Sequence, residues 1–299
     1  MLKEVLEIFL RNFPFIVRNE KTVQDILEHQ ENKVIDKRNE QNELIGVSIV
    51  NQNVILLLCV DEKYRNRGIG SELLAISENM IKEEGFNEII VGAGFDYLMP
   101  GVPTTKRFYE SESENLYRNI DDKASTFFAR RGYHHSWNCN CFDMRFSLSD
   151  FHDIQHCIGD TIDRITYRWA LLEDLHEICK CTDEAFEEFT EYYRNQKLYE
   201  KDSCERVLIA AAGNEVVGTL IIGNETEAKN LGSIGCTTVK PAYQGKHIAV
   251  NLVLLGTKFL KEIGLKEAYL GYTYTGLEHL YGYAGYKICV YYMMAKKEL

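Results

Sequence analysis

Apolar and polar residues along this 299-residue chain follow two patterns, one with helical spacing and one of short apolar runs. In residues 2–13 the apolar positions recur every three or four residues with charges between them, which predicts an amphipathic helix rather than a leader segment. The run 54–60 is continuously apolar but only strand-sized, and no apolar run of the sequence reaches the length of a membrane span. We therefore expect no membrane partner.

The order of these elements occurs twice along the chain. Three collinear blocks align at offsets of 179, 172 and 153 residues: 60–92 with 239–271, 42–46 with 214–218, and 131–133 with 284–286. Nine of the 33 aligned positions in the longest block are identical. Because a solenoid needs at least three short units, two long ones favour a duplicated domain.

Each copy predicts the same fold. Two antiparallel strands precede a helix of about four turns, at 70–84 and at 249–263, and Gly85 and Gly264 follow as left-handed helix ends. A strand at 88–91 or 267–270, a last helix and a closing hairpin complete the copy. We expect a mixed α/β fold with a largely antiparallel sheet flanked by helices. The predicted domains are 1–147 and 164–299, with a linker at 148–163.

The net charge and the cysteine content limit the possible partners and the cellular compartment. The formal net charge of −11 argues against nucleic acid as a partner, because like charges repel. Nine cysteines without a disulfide framework favour a reducing compartment, so we expect a cytoplasmic protein. His134, His135, Cys139 and Cys141 match no common zinc spacing, and no metal site is predicted.

The sharpest motif follows the apolar strand of the first copy. Arg65-x-x-Gly68-x-Gly70 opens the predicted helix. A helix N-terminus exposes unpaired N–H groups that can hold a phosphate, and glycines let the backbone approach it closely. The Gly-Lys-Ser/Thr end of a P-loop is absent from the sequence, and a dinucleotide fingerprint would need a glycine where Leu73 stands. The second copy has a related segment at 239–249.

These two segments resemble the acyl-CoA loop of the GNAT superfamily of N-acyltransferases, and their duplication resembles tandem GNAT proteins. The resemblance implies two tandem GNAT domains, acetyl-CoA as co-substrate, and a small-molecule amine that attacks the thioester directly. It implies cofactor-binding residues at Cys59, Val60, Arg65, Asn66, Arg67, Gly68, Ile69, Gly70 and Ser71 in the first copy, and at Val239, Gln244, Gly245, Lys246 and Ala249 in the second.

The two copies depart from the family pattern in opposite ways. The family's last helix commonly reads Tyr-x-x-x-Gly-aromatic, so the resemblance gives Tyr281 the role of general acid, whereas the first copy has Phe128 there. The first loop keeps both glycines, whereas the second has His247 and Ala249. We therefore expect the principal cofactor site in the first copy. The alternative is a non-catalytic acyl-CoA sensor. The acceptor, the acyl chain, the catalytic copy and the oligomeric state stay open.

The first copy also carries 26 extra residues within 95–122. Their tyrosines and carboxylates predict either a lid over a cationic acceptor or a solvated acidic surface insertion.

Overall fold

The structure is a computed structural model that describes residues 2–16, 20–92, 98–107, 122–152, 165–224 and 230–299. It divides into two compact units. The N-terminal unit contains the described residues up to Phe142 together with Val290–Leu299, and the C-terminal unit contains those of Asp143–Cys289. The predicted lid and linker fall largely on 93–97, 108–121 and 153–164, outside the described residues.

The first half of the chain carries four helices and seven strands within its described residues. They are α1 (Leu2–Asn12), α2 (Glu20–Glu28), β1 (Lys33–Arg38), β2 (Leu44–Asn51), β3 (Val54–Val60), α3 (Ile69–Glu83), β4 (Glu88–Val91), β5 (Val102–Thr104), α4 (Lys123–Ala129), β6 (His134–His135) and β7 (Cys141–Ser147).

The second half repeats this order with additions. Its elements are β8 (Ile165–Trp169), α5 (Leu175–Ala185), α6 (Thr190–Tyr193), β9 (Glu205–Ala212), β10 (Glu215–Gly223), β11 (Leu231–Val239), α7 (Ile248–Glu262), β12 (Glu267–Tyr274), α8 (Glu278–Gly282), β13 (Lys287–Met293) and β14 (Ala295–Glu298). No helix of the described residues is long and apolar enough to cross a membrane.

Each unit contains a parallel strand pair next to antiparallel ones. The N-terminal sheet runs β1-β2-β3-β4-β14-β6, with β3 and β4 parallel. The C-terminal unit contains the order β12-β11-β10-β9-β8, with β11 and β12 parallel. The predicted mixed α/β fold with helices on the sheets is confirmed.

The units differ from the sequence-based boundaries at the end of the chain. Domain 164–299 included the last ten residues, whereas β14 lies in the N-terminal unit, where Lys296 pairs with Ile90 of β4 and Ala295 with His135 of β6. These pairings join residues more than 150 positions apart, so no local pattern could indicate them.

A strand glycine fixes the helix against the sheet in each unit. A Cβ on Gly46 would lie 3.0 Å from side-chain atoms of both Ile69 and Leu73 of α3. A Cβ on Gly218 would lie 3.0 Å from Ile248 and 3.2 Å from Leu252 of α7. The helix can approach the strand this closely only because both positions lack a side chain. The same helix-to-strand packing contact is therefore present in both units, at equivalent residues of the repeat.

Candidate active site

The N-terminal loop turns the chain from β3 into α3 through two left-handed residues. Asn66 has a φ of 62° and Gly68, the residue before the helix, a φ of 85°. This conformation aims the first N–H groups of α3, from Ile69, Gly70 and Ser71, outward and without partners inside the helix. A partial positive charge accompanies them, so this end of the helix favours an anion.

A cavity of about 1230 Å³ opens on this loop. Seven of the nine predicted residues line it: Cys59, Val60, Arg65, Asn66, Gly68, Gly70 and Ser71. The remaining two lie elsewhere, because Ile69 is buried against the sheet and Arg67 places its guanidinium 5.2 Å from the ring centre of Tyr64. The structure therefore brings most of the first predicted set together.

Basic residues dominate the charged lining of this cavity. Five cationic side chains and two carboxylates face it: Arg11, Arg65, Lys123, Arg130 and Arg131, with Glu62 and Asp122. The excess of positive charge stands out in a chain whose formal net charge is −11. An anionic ligand is therefore the chemistry that this cavity favours.

The loop is tied to β3 and to helix α1. Arg65 donates from Nε to the Val60 carbonyl at 3.2 Å and from a terminal nitrogen to Asn12 Oδ1 at 2.6 Å. Asp61, which is buried, accepts from the Lys63 N–H at 3.0 Å and forms an ion pair with Arg11. Arg65 and Asp61 therefore stabilise the loop conformation itself.

Two titratable groups in the cavity wall have shifted pKa values. Burial raises the pKa of the Cys59 thiol to about 12, so it stays a neutral thiol at pH 7. Burial also acts to raise the pKa of Asp122, but hydrogen bonds from Thr105 and Thr104 outweigh it, and the net pKa is lowered. Asp122 is therefore ionised and holds β5 against the start of α4.

Sequence reasoning missed the α4 side of this cavity. Arg131, just beyond α4, donates to Ser71 Oγ at 2.7 Å and to the Phe127 carbonyl at 2.8 Å. Its guanidinium carbon lies 3.7 Å from the ring centre of Phe127. The available signal was that Arg130 and Arg131 align with Tyr283 and Ala284 of the second copy.

The C-terminal loop has the same backbone conformation with different residues. Gly245 has a φ of 75° and His247 a φ of 58°, at the positions equivalent to Asn66 and Gly68. Gln244 donates from Nε2 to the Val239 carbonyl at 3.2 Å, as Arg65 does in the first loop. His247 therefore replaces a glycine without changing the path of the chain, since histidine is among the residues that tolerate this region.

The other predicted residues of this loop are placed as follows. Val239 is buried, Gln244 and Gly245 are exposed, and Ala249 is partly buried in the first turn of α7. Lys246 lies with Nζ 4.9 Å from the ring centre of Tyr243.

Tyr281 lies buried in α8 beside strand β11. Its hydroxyl donates to Thr237 Oγ1 at 3.2 Å. Thr237 adjoins a bulge of β11, where Cys236 has a φ of 50° and the pairing with β10 shifts. Burial raises the pKa of Tyr281 to about 12 and that of the Cys236 thiol to about 12 as well. Tyr281 therefore keeps its proton at neutral pH.

Phe128 and the histidine-cysteine hairpin provide no acid or metal ligand set. Phe128 packs in the core of the N-terminal unit and lines the cavity. His135 accepts at Nδ1 from the Met294 N–H and hydrogen-bonds through Nε2 to the Cys139 carbonyl, both at 2.9 Å, so backbone groups occupy both ring nitrogens. Within the described ranges no group of three or more His, Cys, Asp or Glu side chains could hold a metal ion.

Two family models match the chain, one in each half. A model described as the Acetyltransferase (GNAT) family matches residues 169–286. A model described as an Acetyltransferase (GNAT) domain matches residues 4–97. The matched ranges contain the C-terminal and the N-terminal loop, respectively. No curated protein sequence matches the chain.

Solved structures share the fold across the whole chain. The GCN5-related glucosamine N-acetyltransferase region of a fungal multi-domain GH3 beta-N-acetylglucosaminidase is 18% identical, with a TM-score of 0.75. The match covers 99% of this chain and 36% of that one, so this chain spans about a third of the fungal enzyme's length.

Two further structures match over most of both chains. A GCN5-related N-acetyltransferase from Sphaerobacter thermophilus is 17% identical, with a TM-score of 0.67, and the match covers 93% of this chain and 85% of that one. A tandem GNAT protein from the clavulanic acid biosynthesis pathway is 12% identical, with a TM-score of 0.71 and coverages of 99% and 94%. At these identities the similarity shows the fold.

Proposed function

Because the chain belongs to the GNAT acetyltransferase family, with one domain of that family in each half, we propose that it is an N-acetyltransferase that moves an acetyl group from acetyl-CoA to an amine of a small molecule. The principal cofactor site is the N-terminal cavity. One observation carries this proposal: a cavity of about 1230 Å³ with an excess of basic side chains opens on the unpaired N-terminus of α3. Coenzyme A carries several phosphate groups and a long neutral arm. The phosphates suit the basic side chains of this cavity, and the arm suits its size.

The residues present fit this cofactor. The N–H groups of Ile69, Gly70 and Ser71 hold the pyrophosphate, because they have no partners inside the helix. Gly70 has no side chain, so a phosphate can approach the backbone of this first turn closely. The wall of β3 at Cys59 and Val60 lines the path toward the acyl end.

The chemistry requires no covalent enzyme intermediate. Acetyl-CoA, when bound, supplies the acyl thioester, and the neutral amine attacks its carbonyl carbon while the carbon–sulfur bond breaks. The amine loses a proton and the departing sulfur gains one. Cys59 takes no part as a nucleophile, since its raised pKa keeps it a thiol.

If acyl-CoA also binds at the second loop and transfer takes place in the C-terminal unit, Tyr281 is the proposed general acid there. The thiolate of an ordinary thiol, whose pKa is about 8.5, is too weak a base to remove the proton from Tyr281, whose pKa is about 12. Burial raises the pKa of the neighbouring Cys236 thiol to about 12. A CoA thiolate desolvated to the same extent would be basic enough to take the Tyr281 proton.

Release of free CoA distinguishes an enzyme from a sensor. The purified chain is incubated with acetyl-CoA and a panel of small amines, and free thiol is measured over time. We expect release that depends on the amine. Tight binding of acetyl-CoA without release for any amine of the panel would favour the non-catalytic acyl-CoA sensor.

Equivalent aspartate substitutions in the two loops locate the principal cofactor site. Gly70 and Ala249 occupy the same position in the first turn of α3 and α7. At Gly70 a side chain meets only ordinary contacts at 3.6 Å, so Gly70→Asp adds charge without strain, whereas at Gly68 the φ of 85° would strain any side chain. We expect Gly70→Asp to weaken acetyl-CoA binding about 100-fold or more by calorimetry, because like charges repel at close range.

Ala249→Asp is the matched control and should leave this binding nearly unchanged. Both variants should keep the wild-type circular dichroism spectrum. The reverse result would move the principal cofactor site to the C-terminal unit, and unchanged binding in both variants would contradict cofactor binding at these loops.

A further inference from the structure

An arginine outside the loop motif faces the same cavity. Arg131 follows α4, and its guanidinium lies between the Phe127 ring, 3.7 Å away, and Ser71 of the first turn of α3. The hydrogen bond to Ser71 Oγ, at 2.7 Å, places the positive charge directly beside the unpaired N–H groups of that turn.

The charge of Arg131 has no carboxylate partner among the described residues. Its two hydrogen bonds go to the Phe127 carbonyl and the Ser71 hydroxyl, both uncharged. A guanidinium has five N–H donors, so further donors remain for a ligand. Arg11, by contrast, is neutralised by Asp61, and Arg65 is tied to the loop through Val60 and Asn12.

The surroundings hold this guanidinium in one orientation. Stacking on Phe127 and the bond back to the Phe127 carbonyl fix its plane before any ligand arrives. A prepositioned planar fork loses little entropy when it binds a phosphate and can form two parallel hydrogen bonds to it. Lysine at this position would supply a charge but neither the stacking nor the fork.

We propose that Arg131 binds a phosphate group of the acyl-CoA co-substrate, as a specificity-determining residue outside the loop motif. This inference rests on the proposed function. The C-terminal unit lacks both partners of the arrangement, since Ala284 stands at the place of Arg131 and Val250 at that of Ser71. Arg131 therefore contributes to the preference of acyl-CoA for the N-terminal unit.

Two ligands distinguish the phosphates that Arg131 could contact. Binding of acetyl-CoA and of acetyl-3′-dephospho-CoA is measured by calorimetry for the wild type, Arg131→Gln, Arg131→Lys and Arg130→Gln. Arg130 is the matched control, because it is exposed in the same cavity wall and its substitution removes the same charge. Circular dichroism and thermal unfolding confirm that each variant is folded.

We expect Arg131→Gln to weaken acetyl-CoA binding about 10- to 100-fold, the range for a charged hydrogen bond, and Arg130→Gln to weaken it far less. Arg131→Lys should recover part of the loss. A loss seen only with acetyl-CoA assigns Arg131 to the 3′-phosphate, and an equal loss with both ligands assigns it to the pyrophosphate.

Two results would overturn a proposal, and they are distinguishable. If the wild type binds acetyl-CoA and Arg131→Gln binds both ligands as tightly as Arg130→Gln does, the role of Arg131 is refuted while the proposed function stands. If the folded wild type binds neither ligand, the proposed function fails, and the phosphate role of Arg131 fails with it.

Discussion

The proposed cofactor loops of the two units share one backbone conformation but differ in most of their side chains. Each loop has two left-handed residues, Asn66 and Gly68 in the first and Gly245 and His247 in the second. The glycine has thus moved from one left-handed position to the other. The loop can therefore keep its backbone conformation when its glycine changes position, because asparagine and histidine tolerate left-handed backbone better than most residues.

The residue that starts each loop shows an inversion of charge. Asp61 and Lys240 are equivalent, both are buried, and both donate their N–H to the preceding strand of the sheet. Asp61 pairs with Arg11 of α1, whereas Lys240 pairs with Glu184 of α5. In both units an ion pair attaches the start of the loop to a preceding helix, but the charges of the two partners are exchanged.

Among the substitutions that test the difference between the two units, Tyr281→Phe has the largest expected effect, a loss of turnover. The variant keeps the ring that packs against Tyr286 and loses only the hydroxyl that donates to Thr237. If transfer uses the C-terminal unit, general-acid assistance predicts a turnover about 10²–10⁴-fold lower at saturating acetyl-CoA. The acetyl-CoA affinity measured by calorimetry, which we propose to come from the N-terminal loop, should stay nearly unchanged.

Steady-state turnover and calorimetry on the same preparation check this prediction. Phe128→Tyr in the N-terminal unit is the matched variant, because it puts a phenol at the equivalent position. Unaltered turnover in folded Tyr281→Phe would assign transfer to the N-terminal unit.

The strand, loop and helix around the N-terminal motif could be predicted because their information is local. A strand, the spaced residues Arg65, Gly68 and Gly70, and a helix follow one another within about 30 residues, and each has its own pattern. The contact of Arg131 with Ser71 could not be predicted, since it depends on where α4 lies relative to α3. The position of β14 likewise depends on pairing with β4 and β6, far away in sequence.

Helix-to-sheet packing differs between the units in a way that substitutions can test. In the N-terminal unit, Ser77 of α3 hydrogen-bonds Ser48 of β2 at 2.8 Å, both fully buried. The equivalent pair in the C-terminal unit is Gly256 and Leu220, and a Cβ on Gly256 would lie 2.8 Å from the Leu220 side chain. The N-terminal unit therefore has two small polar residues at this contact, whereas the C-terminal unit has a large apolar residue that faces a glycine.

Gly256→Ala should cost roughly 1–3 kcal/mol of unfolding free energy, because it overpacks a filled core. Ser77→Ala should cost a similar amount, about 1–3 kcal/mol, because it leaves the buried Ser48 hydroxyl without its partner. Urea unfolding of Gly256→Ala, Leu220→Ala and the double variant measures the coupling. Additive losses would contradict the steric contact.

Reciprocal exchange at the left-handed position should have a smaller effect. His247→Gly should change the unfolding free energy by about 1 kcal/mol or less, because histidine already tolerates a φ of 58°. Removing the imidazole should expose the N-terminus of α7 to an anion. We therefore expect a second, weaker acetyl-CoA to bind His247→Gly in calorimetry. Gly68→His should weaken the first site, both because it adds an imidazole and because a φ of 85° strains any side chain. An unchanged stoichiometry at high ligand concentration would show that the imidazole does not obstruct the second loop.

The smallest expected effect is the acid sensitivity of the Lys240 pair. The hydrogen bond from Lys240 is the main cause that lowers the pKa of Glu215 from 4.5, so this carboxylate stabilises the fold above pH 4.5 and loses that contribution as pH falls through its folded pKa. Burial, the largest effect on Lys240, acts to lower its pKa, but bonds to Glu215 and Glu184 outweigh it and raise the pKa above 10.5. The contribution of Lys240 is therefore lost only as pH rises through that raised value.

Between these limits the pair should contribute a constant amount to stability. Lys240→Met removes the charge and keeps most of the buried volume, so the difference in Tm from the wild type should be constant from about pH 5 to 8 and shrink below pH 4.5. The effect is small because Glu215 is 42% exposed and water screens its charge. A difference in Tm that persists unchanged into acid would mean that packing of the lysine stem, and not its ion pair, holds the start of the second loop.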